Sequence, residues 1–243
     1  MIWNSQFSRL SRMALPLLLT AVVSSAGAQA VRVGAPAPDF QAPDSNGKTE
    51  SLDQFHGKYV VLEWHNQGCP YTAKHYTSGN MQNLQKEWTA KGVVWFTVIS
   101  SAPGHDGYMT ASAENAYVKK VGADPTAVLL DAEGKVGRLY DAKTTPQMVV
   151  IDPAGKVIYD GAIDDKPTTE VSDIKGAKNY VSDALTEAMA GRPVATPYTR
   201  PYGCNVKYAN QDSKNCSKKD PLFLLNKSMF PRARQQSYAC LKD

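Results

Sequence analysis

Apolar residues along this chain fall into short dense runs, separated by longer stretches in which they recur every third or fourth position. Residues 58–64 (KYVVLEW), 93–100 (VVWFTVIS), 127–131 and 147–152 are continuous apolar runs rich in branched side chains. Runs of that length and composition predict buried strands. Residues 156–159 follow the last run across Pro153-Ala154-Gly155 and predict a hairpin partner. Between the first two runs, Met81, Leu84 and Trp88 share one helical face. That helix begins at Cys69-Pro70 and reaches about Lys91, with proline suited to its first position, Gly92 to its C-terminal cap and Ser78-Gly79 to a kink. Residues 110–121 and 169–189 predict further helices, residues 135–140 a helical turn, and residues 51–55 a short turn with Ser51 as N-cap. The order β-α-β-α-β-α-β-β-α predicts an α/β fold: a parallel sheet with crossover helices and an antiparallel edge from the closing hairpin.

The two ends break this pattern. Arg9 and Arg12, the apolar run Met13 to Val23 and the small-x-small sequence Ala28-Gln29-Ala30 read as a signal peptide over residues 1–30. The apolar run is shorter than the roughly 20 residues a bilayer needs, and no later segment is apolar enough to span one. The expected location is therefore periplasmic or secreted. Residues 31–196 are long enough for one domain with a real core. Beyond Pro193 proline, Lys, Asn and Ser dominate, and residues 197–243 read as an irregular, basic extension containing cysteines.

Charge adds little to this. The net charge is +4, but residues 200–243 hold nine Lys and Arg against three Asp, so the body is acidic. The tail's charges form no amphipathic stripe and read as a solvated segment. No zinc-finger spacing or other nucleic-acid motif is present, so nucleic acid is not an expected partner. The Gly-rich spacing of phosphate and dinucleotide sites is also absent, and no organic cofactor is implied.

The chemistry-bearing residues are the cysteines: Cys69 in the body, and Cys204, Cys216 and Cys240 in the tail. Cys69 follows a buried strand and opens a helix, where unpaired N–H groups and the helix dipole favour a thiolate. Lys74 and His75, one to two turns on, are expected to add positive potential. A cysteine so placed is a nucleophile for thiol–disulfide exchange or peroxide reduction. Position 72, three residues on, is Thr, so any intramolecular partner must come from the tail. His65 and His75 flank Cys69 but complete no recognised metal spacing. Asp164-Asp165 reads as a solvated turn, and Trp64 and Tyr71 as either an apolar rim to the site or core.

Several segments together resemble the peroxiredoxin-like branch of the redoxin family (alkyl hydroperoxide reductase/thiol-specific antioxidant type), within the thioredoxin-like superfamily. They are Gly34 to Phe40, Trp64 to Tyr71, Lys74-His75-Tyr76, Ser100 to Gly104, Thr145-Pro146, Asp160 to Asp165 and Tyr202 to Tyr208. The resemblance spans roughly residues 33–208 and implies a thioredoxin-like fold, a central mixed sheet with flanking helices. It implies Cys69 as the nucleophilic or peroxidatic cysteine, Pro146 as the cis-proline beside it, and Cys204 as a candidate resolving cysteine. The family's P-x-x-x-T-x-x-C pattern is not kept: Asn66 and Leu62 stand where Thr and Pro are usual. Asn66 is then the candidate to polarise a peroxide through its amide. Arg138 is the candidate for the family's usual arginine.

The resemblance therefore implies an exported thiol-based oxidoreductase, a thiol–disulfide oxidoreductase or a thiol-dependent peroxidase. Its partners would be a disulfide or thiol protein, or a peroxide, and an external reductant. The other reading is a non-catalytic binding or scaffold protein with structural disulfides. Four cysteines allow three connectivities. A structural Cys216–Cys240 bond would leave Cys69 and Cys204 as the second pair.

Overall fold

The first buried run forms the central strand. The computed structural model describes Met1 and residues 31–209. Within them the sheet is built from β3 (Val60–Trp64), β4 (Val94–Ile99), β5 (Ala127–Leu130), β7 (Gln147–Ile151) and β8 (Val157–Gly161), in the order β5-β4-β3-β7-β8. β3, β4 and β5 run parallel, while β7 is antiparallel to β3 and β8 antiparallel to β7. An N-terminal hairpin, β1 (Gln41–Pro43) and β2 (Thr49–Ser51), forms a separate two-stranded sheet that touches edge strand β5 through an Asp44–Leu129 bridge. The sequence pattern did not foretell it, because three-residue strands are too short to show a period.

Alternation along the strands divides the core into two layers. Leu62, Trp64, Phe96, Val98, Val149 and Ile151 pack on one side with Phe40, Val136 and Tyr140. Val61, Trp95, Met148 and Val150 pack on the other with the helices α1 (Pro70–Thr77), α2 (Asn80–Ala90) and α5 (Tyr180–Met189). The remaining helices are α3 (Ala111–Val121) and α4 (Lys135–Leu139).

Three local expectations change in detail. The kink at Ser78-Gly79 is a full break between α1 and α2, since Gly79 takes φ 76°, a conformation that a continuous helix cannot contain. The final helix is shorter than expected: residues 171–176 form a 3-10 turn, and α5 starts only after Asn179, whose side chain accepts from Ser182 N–H. Ser51 precedes a 3-10 turn (Leu52–Phe55) without capping it, and its hydroxyl donates to Asp39 instead.

The chain beyond residue 197 returns to the domain. β9 (Cys204–Asn205) pairs antiparallel with β6 (Thr144–Thr145), and Val206 and Tyr208 are buried in the first core layer. The signal-like segment and most of the basic tail, including Cys216 and Cys240, lie outside the described residues.

Candidate active site

Cys69 is the N-cap of α1, with extended backbone, and Pro70 begins the helix. Proline at that position needs no N–H, and the cap places the thiol over the helix's unpaired donors. The preceding loop is held by Asn66. Its side-chain oxygen accepts from Gly68 N–H at 2.8 Å, its amide donates to the Asp106 carbonyl at 3.4 Å, and its carbonyl accepts from Cys69 N–H at 3.1 Å. A side chain at Gly107 would collide with the Asn66 amide at 2.3 Å, so the loop at 106–107 closes directly on it. The Asn66 amide is thus committed to shaping the loop.

The chain brings a second element to the same thiol. Thr145-Pro146 is a cis peptide, and the Thr145 carbonyl accepts from Cys69 Sγ at 3.0 Å. Thr145 is also the register partner of Cys204. Thr145 therefore ties both cysteines to β6: its carbonyl accepts from Cys69 Sγ, and its backbone is in register with Cys204. Gly203 makes this approach possible, because a Cβ there would lie 2.0 Å from the Thr145 carbonyl oxygen. Cys69 is fully buried, Cys204 is partly exposed, and both are free thiols.

The two thiols are tuned apart. Burial alone would raise the Cys69 pKa, but hydrogen bonds from the Cys204 thiol, the Thr72 backbone N–H and Thr145 outweigh it, and the value falls below that of an ordinary cysteine. Donation to the Thr145 carbonyl favours the protonated form, so the lowering comes from the donors that face the sulfur. Cys204 is pushed up to about 12 by burial, by hydrogen bonding to Cys69 and by the Cys69 charge. Thr72, fully buried, holds a side-chain hydroxyl with no hydrogen-bond partner one turn along the helix.

Lys74 and His75 do not act as free cations, contrary to the sequence expectation. Both are fully buried. Lys74 Nζ donates to the Lys166 carbonyl at 2.7 Å and lies 3.6 Å from Asp164 Oδ2. Burial lowers the His75 pKa to about 4, so it is neutral at pH 7. Asp164 is likewise no solvated turn residue: it is buried, and accepts from the Tyr202 hydroxyl and from Lys166 N–H. Arg138 lies over the Tyr208 ring and donates to the Glu133 and Ala209 carbonyls, which leaves its guanidinium engaged at the far end of α4. Trp64 belongs to the core, while Tyr71 packs edge-on against Tyr202. His65 is buried between Tyr76 and Tyr117. Among the described residues no three His, Cys, Asp or Glu side chains are grouped to hold a metal.

Glu63 was not singled out by the sequence, although a single acid inside a buried strand must find partners. It accepts from Tyr76, Gln85, Trp95 and Thr97 beneath α1 and α2. Burial raises its pKa and these bonds, with His65, reverse the effect, so the net shift is downward. Tyr202, Lys74 and Asp164 lie in segments that carry the family resemblance, but the bonds that join them had no sequence signal. They join positions 128 and 38 residues apart.

A cysteine-proline at the start of the helix after the central strand, with a cis-proline loop against the thiol, defines a thioredoxin-fold thiol oxidoreductase. The AhpC/TSA family model matches residues 33–160, and the chain belongs to that family. The thiol-disulfide oxidoreductase ResA of Bacillus subtilis (strain 168) is 29% identical over 133 residues, 55% of this chain and 69% of that protein. Among solved structures, a hypothetical protein of Sinorhizobium meliloti 1021 superposes with a TM-score of 0.62 at 21% identity, over 75% of this chain and 97% of its own. An uncharacterised conserved protein of Geobacillus kaustophilus gives 0.62 at 22% identity, over 74% and 93%. Both share the fold. The family match ends at residue 160, so the argument for Cys204 rests on this chain's own geometry. No helix among the described residues is long and apolar enough to cross a membrane.

Proposed function

We propose that the protein reduces disulfide substrates through a two-cysteine cycle in which Cys69 is the nucleophile and Cys204 the resolving thiol. The observation that carries this reading is the pair of free cysteines brought together at Thr145, Cys69 through its Sγ and Cys204 through strand register, one with a lowered and one with a raised pKa. The Cys69 thiolate attacks one sulfur of a substrate disulfide, forming a mixed disulfide and expelling a thiolate that takes up a proton. Cys204 then gives up its proton and attacks the Cys69 sulfur, releasing the second substrate thiol and closing a Cys69–Cys204 bond. An external thiol reductant reopens that bond with two electrons and two protons. Burial is the first cause of the raised Cys204 pKa, but once Cys69 is no longer anionic its contribution to that rise is gone, which favours resolution after attack. Pro146 is assigned the role of fixing the Thr145 carbonyl against Sγ, and Asn66 that of shaping the loop.

A peroxide substrate is the second reading, favoured by the buried, unpartnered Thr72 hydroxyl in the first turn of the helix that Cys69 caps. Attack on the peroxide would give a Cys69 sulfenic acid and an alcohol or water, and Cys204 would close the disulfide by expelling water. The signal-like residues 1–30 support export to the periplasm or the exterior.

The test is turnover of the mature protein with a model disulfide and with hydrogen peroxide, using a dithiol as reductant. Cys69→Ser is expected to lose both activities, and Cys204→Ser to stall as a mixed disulfide on Cys69. Retained turnover by Cys69→Ser would contradict the assignment. Faster thiolate oxidation by peroxide than by disulfide would replace the first reading with the second.

A further inference from the structure

Cys204 sits on a strand of two residues, and pairing that short holds little by itself. The segment is fixed at both sides. On the C-terminal side, Val206 and Tyr208 enter the apolar core, and Tyr208 donates to the Ala142 carbonyl at 2.8 Å. On the N-terminal side, the anchor is Tyr202, and it is polar. Its ring meets Tyr71 edge-on at 5.8 Å, its hydroxyl donates to Asp164, and Lys74 Nζ lies 3.4 Å from the same oxygen. Tyr71, Lys74 and His75 all belong to α1, the helix that Cys69 opens. Tyr202 therefore joins the nucleophile's helix to the segment that carries Cys204, through the buried Lys74–Asp164 pair.

We infer that Tyr202, seated on Lys74 and Asp164, is a positioning residue that sets the effective concentration of Cys204 at Cys69. This rests on the two-cysteine cycle proposed above. The arrangement is suited to the task because a buried polar network is geometrically specific while it is satisfied, and loses that specificity when one member is removed. Burial and the Asp164 charge keep the Tyr202 phenol protonated, so it remains a donor throughout the accessible pH range. The Asp164 Oδ2 atom has no hydrogen-bond partner and faces Lys74 and the neutral His75 at 3.6 and 3.8 Å, so the carboxylate depends on the Lys74 ammonium for charge compensation.

The experiment equilibrates the mature protein in mixtures of oxidised and reduced dithiothreitol at pH 7. The Cys69–Cys204 disulfide is read by mass spectrometry after acid quenching and alkylation. Each conversion exchanges one protein disulfide and one dithiol for one protein dithiol and one cyclic disulfide. Tyr202→Phe, which keeps the ring and removes only the hydroxyl, is expected to lower the equilibrium constant for the bond about tenfold, the factor carried by one hydrogen bond to a charged group. Asp164→Asn is expected to lower it too, and the double variant to add little beyond the larger single effect. Amide exchange in the β3, β4 and β7 strands is followed in parallel and is expected to be unchanged. An equilibrium constant equal to wild type in Tyr202→Phe overturns the inference. So does a fall that comes only with lost protection of the sheet, which marks a general packing role. A wild-type protein that forms no Cys69–Cys204 bond at all overturns the cycle itself, a result separable from the other two.

Discussion

Cys69 and Cys204 meet at Thr145, and the contact between their thiols acts on them in opposite directions. It lowers the first pKa and raises the second. Removing Cys204 should therefore make Cys69 a weaker acid. Iodoacetamide alkylation of wild type across pH is expected to report Cys69 first, with its inflection below the ordinary cysteine value, and the inflection should move upward in Cys204→Ala. An unchanged inflection would mean that the Thr72 N–H and the helix terminus set the pKa alone. The placement of Cys69 was legible in the sequence, because strand, cysteine and proline in succession fix a helix start. The state of Lys74, His75 and Asp164 was not. Whether a cation is free or buried depends on a partner some ninety residues away, and no local period carries that information.

Among the elements, the α/β alternation and its closing hairpin were readable because each sheet strand is a dense apolar run and each crossover begins or ends with a recognisable cap. Thr110, for example, accepts from Ala113 N–H at the start of α3, and Gly92 takes φ 84° after α2. β6 and β9 were not readable: two residues have no hydrophobic period, and what pairs them is contact between distant backbone segments. Their pairing depends on Gly203. A Cβ there would lie 2.0 Å from the Thr145 carbonyl oxygen, and φ 141° is a conformation that side-chain-bearing residues rarely adopt. Gly203→Ala is expected to push β9 off β6. Cys69, now uncovered, should be alkylated several-fold faster, while disulfide formation with Cys204 slows. Wild-type rates for both reactions would show that β9 does not cover the nucleophile.

For the whole molecule, the buried neutral His75 couples stability to pH. Its pKa lies near 6.5 in the unfolded chain and at about 4 in the fold. Below 6.5 the unfolded chain binds the proton first, so this group's stability is present at pH 7 and is lost as pH falls toward 4. The full shift corresponds to roughly 3 kcal/mol. Glu114, Asp131 and Asp160, whose pKa values are raised by burial, act in the opposite sense over part of this range. The His75 contribution is therefore read as a difference: in urea unfolding between pH 7 and pH 4.5, wild type should lose more stability than His75→Gln. Equal losses would mean that His75 is protonated in the fold.

The central claim is that Cys69 and Cys204 form one redox couple, and peptide mapping of the mature protein tests it most directly. The reduced protein is treated with one equivalent of a model disulfide, quenched in acid, digested without reduction and analysed by mass spectrometry. The account predicts a Cys69–Cys204 linked peptide that forms stoichiometrically and disappears on addition of dithiothreitol. Cys69 recovered in a bond to Cys216 or Cys240, or recovered as an unreacted thiol, would contradict it.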